Sequence, residues 1–214
     1  MTLAPVRTIA LAALLALQAF AQSITPSPNP TTVPAGKPVT LTINYAAGAT
    51  AAAALQWDLG GAGGAVLGPW TIGATGTAAG KTLTCLTQTT NTACIVWGLN
   101  TTTVAAGPLA SVTVTFPATT RGTQTLTTTS TSAADGAGNP INVSGNSFGV
   151  LVTSPFDLNG DGKVDQSDLL IAVGQVLDFI LGIPGCGTAD FDGDGKCDLK
   201  DLQLLVQDSM SPNP

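Results

Sequence analysis

Two stretches of this chain carry oxygen side chains at matched intervals. The first runs from Asp157 through Asn159, Asp161, Lys163 and Asp165 to Asp168. The second runs from Asp190 through Asp192, Asp194, Lys196 and Asp198 to Asp201. In each, oxygen donors fall at loop positions 1, 3, 5, 9 and 12, with Gly at positions 4 and 6. This is the spacing of a calcium loop. Alternate side chains turn inward, Gly at position 6 makes the sharp turn, position 7 (Lys163, Lys196) offers its backbone carbonyl, and position 12 closes the shell. The first loop crowds four carboxylates and the second five. Two like charges ~5 Å apart repel by ~3 kcal/mol at an effective dielectric of ~20, so such loops splay open unless a divalent cation sits among them. Oxygen donors in a flexible loop favour Ca²⁺ over Zn²⁺, and the ligand number favours it over Mg²⁺. A single Asp/Gly-rich stretch would also read as a solvated turn. Two in register, each followed by an apolar helical run, point to two bound Ca²⁺ ions.

Each loop feeds a helix. Apolar residues recur at helical spacing as Leu169, Leu170, Val173, Val176, Leu177 and Ile180, and again as Leu202, Leu205 and Val206. No helix enters either loop: Thr153–Phe156 and Gly182–Ala189 hold Pro and Gly where helical residues would stand. Position 12 is Asp, where an EF-hand normally has Glu. A duplicated loop with an exiting helix and Asp at position 12 resembles a dockerin domain, over about residues 155–210. The resemblance implies two units packed around two Ca²⁺ and a cohesin partner, on another protein or in a second copy. It also implies that the partner is read through loop positions 10 and 11. These are Gln166 and Ser167 in one repeat and Leu199 and Lys200 in the other, and the pairs differ.

The N-terminus reads as an export signal. Arg7 precedes an apolar run from Ile9 to Phe20 that ends in Ala19-Phe20-Ala21, the pattern of a cleavage site after Ala21. The run is short of the ~20 residues that span a bilayer, and no later segment is apolar enough, so no membrane association is expected after cleavage. An uncleaved anchor is the alternative. No Cys follows the run to mark a lipoprotein. The expected location is secreted, extracellular or cell-surface-associated. Four cysteines suit an oxidising compartment. Pairing Cys85 with Cys94 across a hairpin tip, and Cys186 with Cys197 around the start of the second loop, keeps each bridge within one domain. Zinc is disfavoured because the chain has neither a CxxC pair nor a histidine.

All thirteen acidic residues are Asp, and eleven stand from Asp157 onward against three lysines. The mature chain before them has Asp58 and Asp135 against Lys37, Lys81 and Arg121. The acidity therefore belongs to the loops, and the absence of a basic face argues against nucleic acid.

Residues 23–153 read as an all-β sandwich. Val39–Tyr45 and Val112–Phe116 alternate apolar and hydroxyl residues with the period of half-buried strands. Leu55–Leu59, Leu83–Cys85, Cys94–Trp97, Gln124–Leu126, Ile141–Val143 and Phe148–Val152 add short strands between Gly, Pro and Asn clusters. Ser23–Pro38, rich in Pro and Thr, reads as an extended leader. The segments Ala54–Leu59, Gly107–Phe116 and Ser132–Val143 are similar to pieces of a cohesin-type sandwich, a fold related to some carbohydrate-binding modules.

Catalysis has little to work with. Without histidine there is no Ser-His-Asp or Cys-His arrangement. Glycoside hydrolysis needs two facing carboxyl groups, and of the two available, Asp135 reads as a turn residue. Among aromatics, Trp57 is in register with Leu55 and Leu59 and reads as core. Trp70, after Gly-Pro, and Trp97, out of register with Cys94 and Val96, are candidates for stacking on sugar rings. The fold class expected is multidomain: signal peptide 1–21, an all-β cohesin-like sandwich at 23–153, and a small all-α dockerin with two calcium loop–helix repeats at 154–211. The function expected is a secreted, non-catalytic, calcium-dependent assembly module of extracellular polysaccharide-degrading machinery. The alternative is an accessory protein whose sandwich binds polysaccharide and whose dockerin anchors it.

Overall fold

Alternation of apolar and hydroxyl residues sets most of the strands. The computed structural model describes residues 22–61, 63–88, 90–183 and 186–210. The expected signal peptide lies outside them. In chain order the elements are β1 (Gln22–Asn29), β2 (Thr32–Pro34), β3 (Pro38–Ala46), β4 (Ala54–Gly60), β5 (Val66–Leu67), β6 (Thr71–Ile72), α1 (Ala74–Ala78), β7 (Thr82–Thr87) and β8 (Asn91–Trp97). Then follow β9 (Gly107–Thr115), β10 (Gly122–Ala134), β11 (Pro140–Ile141), β12 (Val143–Gly145), β13 (Ser147–Thr153), α2 (Gln166–Ile180) and α3 (Leu199–Met210).

The strands form two sheets. One runs β12-β1-β3-β9-β5, with β6 also on β9; the other runs β2-β13-β10-β4-β8-β7, with β11 on β10. The inner faces of both meet in one core. In β3 the residues Val39, Leu41, Ile43 and Tyr45 are buried while the threonines between them face out. Trp57, Phe116, Leu55, Leu59 and Leu126 fill the middle. Opposite Ile43 and Asn44, Leu109 is an extra residue in β9, so Leu109 and Ala110 are both buried in sequence. The buried hydroxyl of Tyr45 donates to Gln22 Oε1 at 2.7 Å, which satisfies a polar group inside the core.

Ser23–Pro38 is not the leader that its composition suggests. Residues 23–29 pair antiparallel with β3 and bury Ile24. The prolines are tolerated because β12 covers only Gln22–Ile24, which leaves Pro26 and Pro28 where β1 is an open edge.

Both expected disulfides are present. Cys85 and Cys94 lie directly opposite each other in the β7–β8 ladder, Cα atoms 4.1 Å apart. Cys186 and Cys197 join with Cα atoms 5.3 Å apart.

The C-terminal region has its own small core. Ala172, Val176, Ala189, Cys197 and Leu205 are buried, with Phe156, Leu158, Leu169, Phe179 and Phe191 packed around them. The apolar residues of α2 divide between two sides. Leu169, Ala172, Val176 and Phe179 turn inward, whereas Leu170, Leu177 and Ile180 face out. Among the described residues, no helix is long and apolar enough to cross a membrane.

Candidate metal sites and docking face

The two loops fold through the same set of side-chain-to-backbone hydrogen bonds. At position 1, the carboxylate of Asp157 accepts from the N–H groups of Gly160 and Gly162, at 2.8 and 2.9 Å. Asp190 accepts from those of Gly193 and Gly195, at 2.8 and 3.0 Å. Positions 3 and 5 each accept from the N–H two residues on: Asn159 from Asp161, Asp161 from Lys163, Asp192 from Asp194 and Asp194 from Lys196. Short polar side chains favour such local turns. They wind each loop around its position 1 carboxylate. In the second loop Asp190, Asp192 and Asp194 present oxygens that all lie within 4.8 Å of one another. The first loop has an amide at position 3, and Asn159 Nδ2 donates to Asp161 Oδ2 at 3.1 Å.

Position 12 ties each loop to its helix. Asp168 Oδ1 accepts from the N–H of Leu158 (2.7 Å) and Asn159 (3.1 Å), and Oδ2 from that of Asp165 (2.9 Å). Asp201 repeats this with Phe191, Asp192 and Asp198. Asp165 at position 9 in turn accepts from Ser167 N–H, so Asp165 and Asp168 form a reciprocal cap on α2.

This donor set fits a hard divalent cation. Asp168 and Asp201 are fully buried and Asp157 nearly so. Among the described residues the ion pairs are Lys200–Asp192 and Arg121–Asp208, and neither reaches a position 1 or position 12 carboxylate. Buried carboxylates without a cationic partner are costly. Oxygen ligands from positions 1, 3, 5 and 12, with the carbonyl of Lys163 or Lys196, are what Ca²⁺ takes.

Gly162 and Gly195 at position 6 have φ of +88° and +82°. No neighbouring atom crowds either, so the requirement for Gly is one of backbone conformation alone. Gly162→Ala is therefore expected to strain the first loop by about 1–2 kcal/mol. Calorimetric titration should show that loop's calcium affinity falling about tenfold, with the second loop unchanged.

The four expected partner-reading residues, Gln166, Ser167, Leu199 and Lys200, are all exposed on the first turns of the two helices. Lys200 also reaches back, and its Nζ donates to Asp192 Oδ2 at 3.2 Å. That hydrogen bond, and then the charges of Asp192 and Asp194, raise its pKa above the ordinary lysine value. Outward from the loops, α2 shows an apolar stripe of Leu170, Leu177 and Ile180, which are 65, 53 and 69% exposed. Aligning the repeats on Asp157 and Asp190 sets Leu170, Val173 and Leu177 over Gln203, Val206 and Met210. The α2 side is the more apolar of the two.

The β7–β8 hairpin of the sandwich also exposes two large apolar side chains, one toward each end. On the outer face of the second sheet, Leu86 stands opposite Ala93, and Trp97 opposite Thr82. Trp97 is 42% exposed, and its indole N–H donates to Thr84 Oγ1 at 3.1 Å. Leu86 was not singled out from the sequence, although its outward parity in β7 is the signal that would have found it. Trp70 does not occupy the open loop position expected of it. It is half-buried against the core, edge-on to Trp57 with ring centroids 6.4 Å apart, and its N–H is enclosed. The pairing of β5 and β6 with β9 carries the loop between them onto the core, and Trp70 with it.

Residues 155–208 match the dockerin type I domain. The sandwich is similar in structure to several cohesins. One is a non-cellulosomal cohesin from the archaeon Archaeoglobus fulgidus, 13% identical, TM-score 0.50, covering 61% of this chain and 91% of that one. Another is the cohesin module of a family 33 glycoside hydrolase from Clostridium perfringens, 15% identical, TM-score 0.53, covering 63% and 98%. A third is the third cohesin ScaC from Acetivibrio cellulolyticus, in complex with the ScaB dockerin, 14% identical, TM-score 0.50, covering 61% and 98%. No curated protein matches the chain. This chain joins a β-sandwich of the cohesin fold to a region, residues 155–208, that matches the dockerin type I domain.

Proposed function

We propose that this is a secreted, non-catalytic assembly protein whose C-terminal module, loaded with two Ca²⁺, docks into a cohesin-fold module of another protein or of a second copy. The observation that carries the reading is the exposed apolar stripe of α2 beside the two loops. The stripe lies next to loop positions 10 and 11, and on the sandwich Leu86 and Trp97 stand out separately from the β7–β8 hairpin. The stripe is a surface of the kind that marks protein association. One chain thus holds a plug and a socket, which is a heterologous arrangement able to propagate from copy to copy. The cohesin from Acetivibrio cellulolyticus, solved with a dockerin bound, supports this pairing of modules. Two disulfides and the export signal read at residues 1–21 support a location outside the cell. Polysaccharide-degrading machinery is the proposed setting.

A non-catalytic role agrees with how the sandwich carboxylates are engaged. Asp58 accepts from Asn91 Nδ2 at 3.1 Å. Asp135 accepts from Asn139 Nδ2 and from the N–H groups of Asn139 and Ala137, which hold its carboxyl below the usual range.

Sedimentation velocity at rising protein concentration tests the proposal. With calcium, species larger than one chain are expected. Leu177→Asp should return them to monomer and abolish capture of an added cohesin. If the wild type stays monomeric with calcium and takes up no cohesin, the proposal fails. Trp97 alone supports the alternative, a sandwich that stacks on glycan. In that case Trp97→Ala would release the protein from insoluble polysaccharide in a pelleting assay, with Leu177→Asp unaffected.

A further inference from the structure

The chain crosses from sandwich to tail without a loose linker. β13 ends in buried Val152 and Thr153, Ser154 is buried, and Asp157 already opens the first loop. Thr153 is held from the sandwich side, its carbonyl accepting from Ala35 N–H at 2.9 Å. On the tail side, Ser154 Oγ accepts from Phe156 N–H at 3.2 Å and donates to Asp208 Oδ2 of α3 at 2.8 Å.

Aligning the repeats sets Asp208 over Gln175 of α2, and Phe156 over Ala189. Gln175 Oε1 accepts from the N–H groups of Thr188 and Ala189, at 2.9 and 2.8 Å. Each helix therefore reaches across to the entrance of the other repeat's loop, α2 directly and α3 through the Ser154 hydroxyl. A neutral amide suffices for this at Gln175. The charge on Asp208 has a further partner outside the tail: Arg121 Nη2 lies 4.0 Å from Asp208 Oδ1. Arg121 is itself anchored, donating to the carbonyls of Ala118 and Thr120 at 2.7 and 2.9 Å in the turn before β10.

We propose that Asp208, Ser154 and Arg121 form a clasp that holds the tail in one orientation on the sandwich. Asp208 closes the tail through its hydrogen bond with Ser154 and fixes it to the sandwich through its charge. The three are positioning residues, and the clasp stands whether or not the tail docks elsewhere.

Backbone ¹⁵N relaxation on the calcium-loaded full chain tests this. In the wild type, tail and sandwich amides are expected to share one rotational correlation time. Asp208→Asn keeps an acceptor for Ser154 and removes the charge. It should let the tail tumble faster, with the open population rising about two- to fivefold, the range a partly exposed ion pair supports. Arg121→Gln should do the same. High salt should loosen the wild type. If Asp208→Asn unfolds the tail, Arg121→Gln decides, because it lies outside the tail. Common tumbling undisturbed in Arg121→Gln, or a wild type that already tumbles as two bodies, would overturn the clasp.

Discussion

Stripping calcium from the protein is expected to melt residues 155–210 and leave the sandwich folded. The tail's buried apolar core is five side chains, two of them alanines. Against it stand nine loop carboxylates. Without a cation their repulsion, ~3 kcal/mol for a pair ~5 Å apart at an effective dielectric of ~20, works against the turns that bring them together. An ion bound only by the folded state contributes about 4.1 kcal/mol when its free concentration is about a thousand times Kd, and two sites act together. Metal binding is then folding energy for this module. The Cys186–Cys197 bridge fastens one corner of the second loop and leaves the charges uncompensated. The sandwich has a separate core with none of these ligands in it. A ¹H–¹⁵N spectrum in excess chelator should show tail amides collapsed into the random-coil range and sandwich amides unmoved. Equal dispersion of tail amides with and without chelator would refute the expectation.

Asp168→Ala should be the most damaging single substitution in the first loop. The carboxylate is fully buried and accepts from the backbone N–H groups of Leu158, Asn159 and Asp165. Its removal deletes the oxygen donor expected to close the shell and strands three donors, each costing about 1–3 kcal/mol if left without an acceptor. It also takes away half of the reciprocal cap on α2. Calcium titration should show the first site lost, with affinity down more than about a hundredfold on a loss of ~3 kcal/mol or more. Circular dichroism should report less helix. Asp178→Ala is the matched control: Asp178 is exposed on α2 outside the loop, and its loss should change neither reading. A first site that still binds calcium normally in Asp168→Ala would contradict the assignment.

Much of this was legible because it is local. Strand alternation needs only neighbours, and the expected strands around Leu41, Trp57, Val96 and Val114 all formed. The loop spacing is likewise local, and so was the pairing of cysteines close in sequence. What failed depends on distant contacts. The Pro-rich stretch from Ser23 became a strand because β3 offered it a partner and β12 left most of its other side open. Trp70 was drawn onto the core by pairings of β5 and β6 with β9, some forty residues further along the chain. Helix stripes fail differently. Leu169, Ala172 and Val176 sit one position from Leu170, Val173 and Leu177, and both sets obey the same period. Sequence shows that α2 is apolar on a broad face. Only packing against α3 and the loop entrances decides which half is covered. The clasp at Asp208 was hidden for a related reason: one aspartate among thirteen carries no mark of its distant arginine.

The cross-strand bridge between Cys85 and Cys94 has a consequence beyond local stability. It fastens β7, the outermost strand at one end of its sheet, to β8 within the same hairpin. An outermost strand offers unpaired backbone groups to any other chain, and this one also turns an exposed leucine to solvent. A protein crowded with its own kind is at risk of swapping or stacking such a strand into fibres. The covalent tie keeps β7 with its proper neighbour, so the strand cannot leave its sheet to be exchanged between copies.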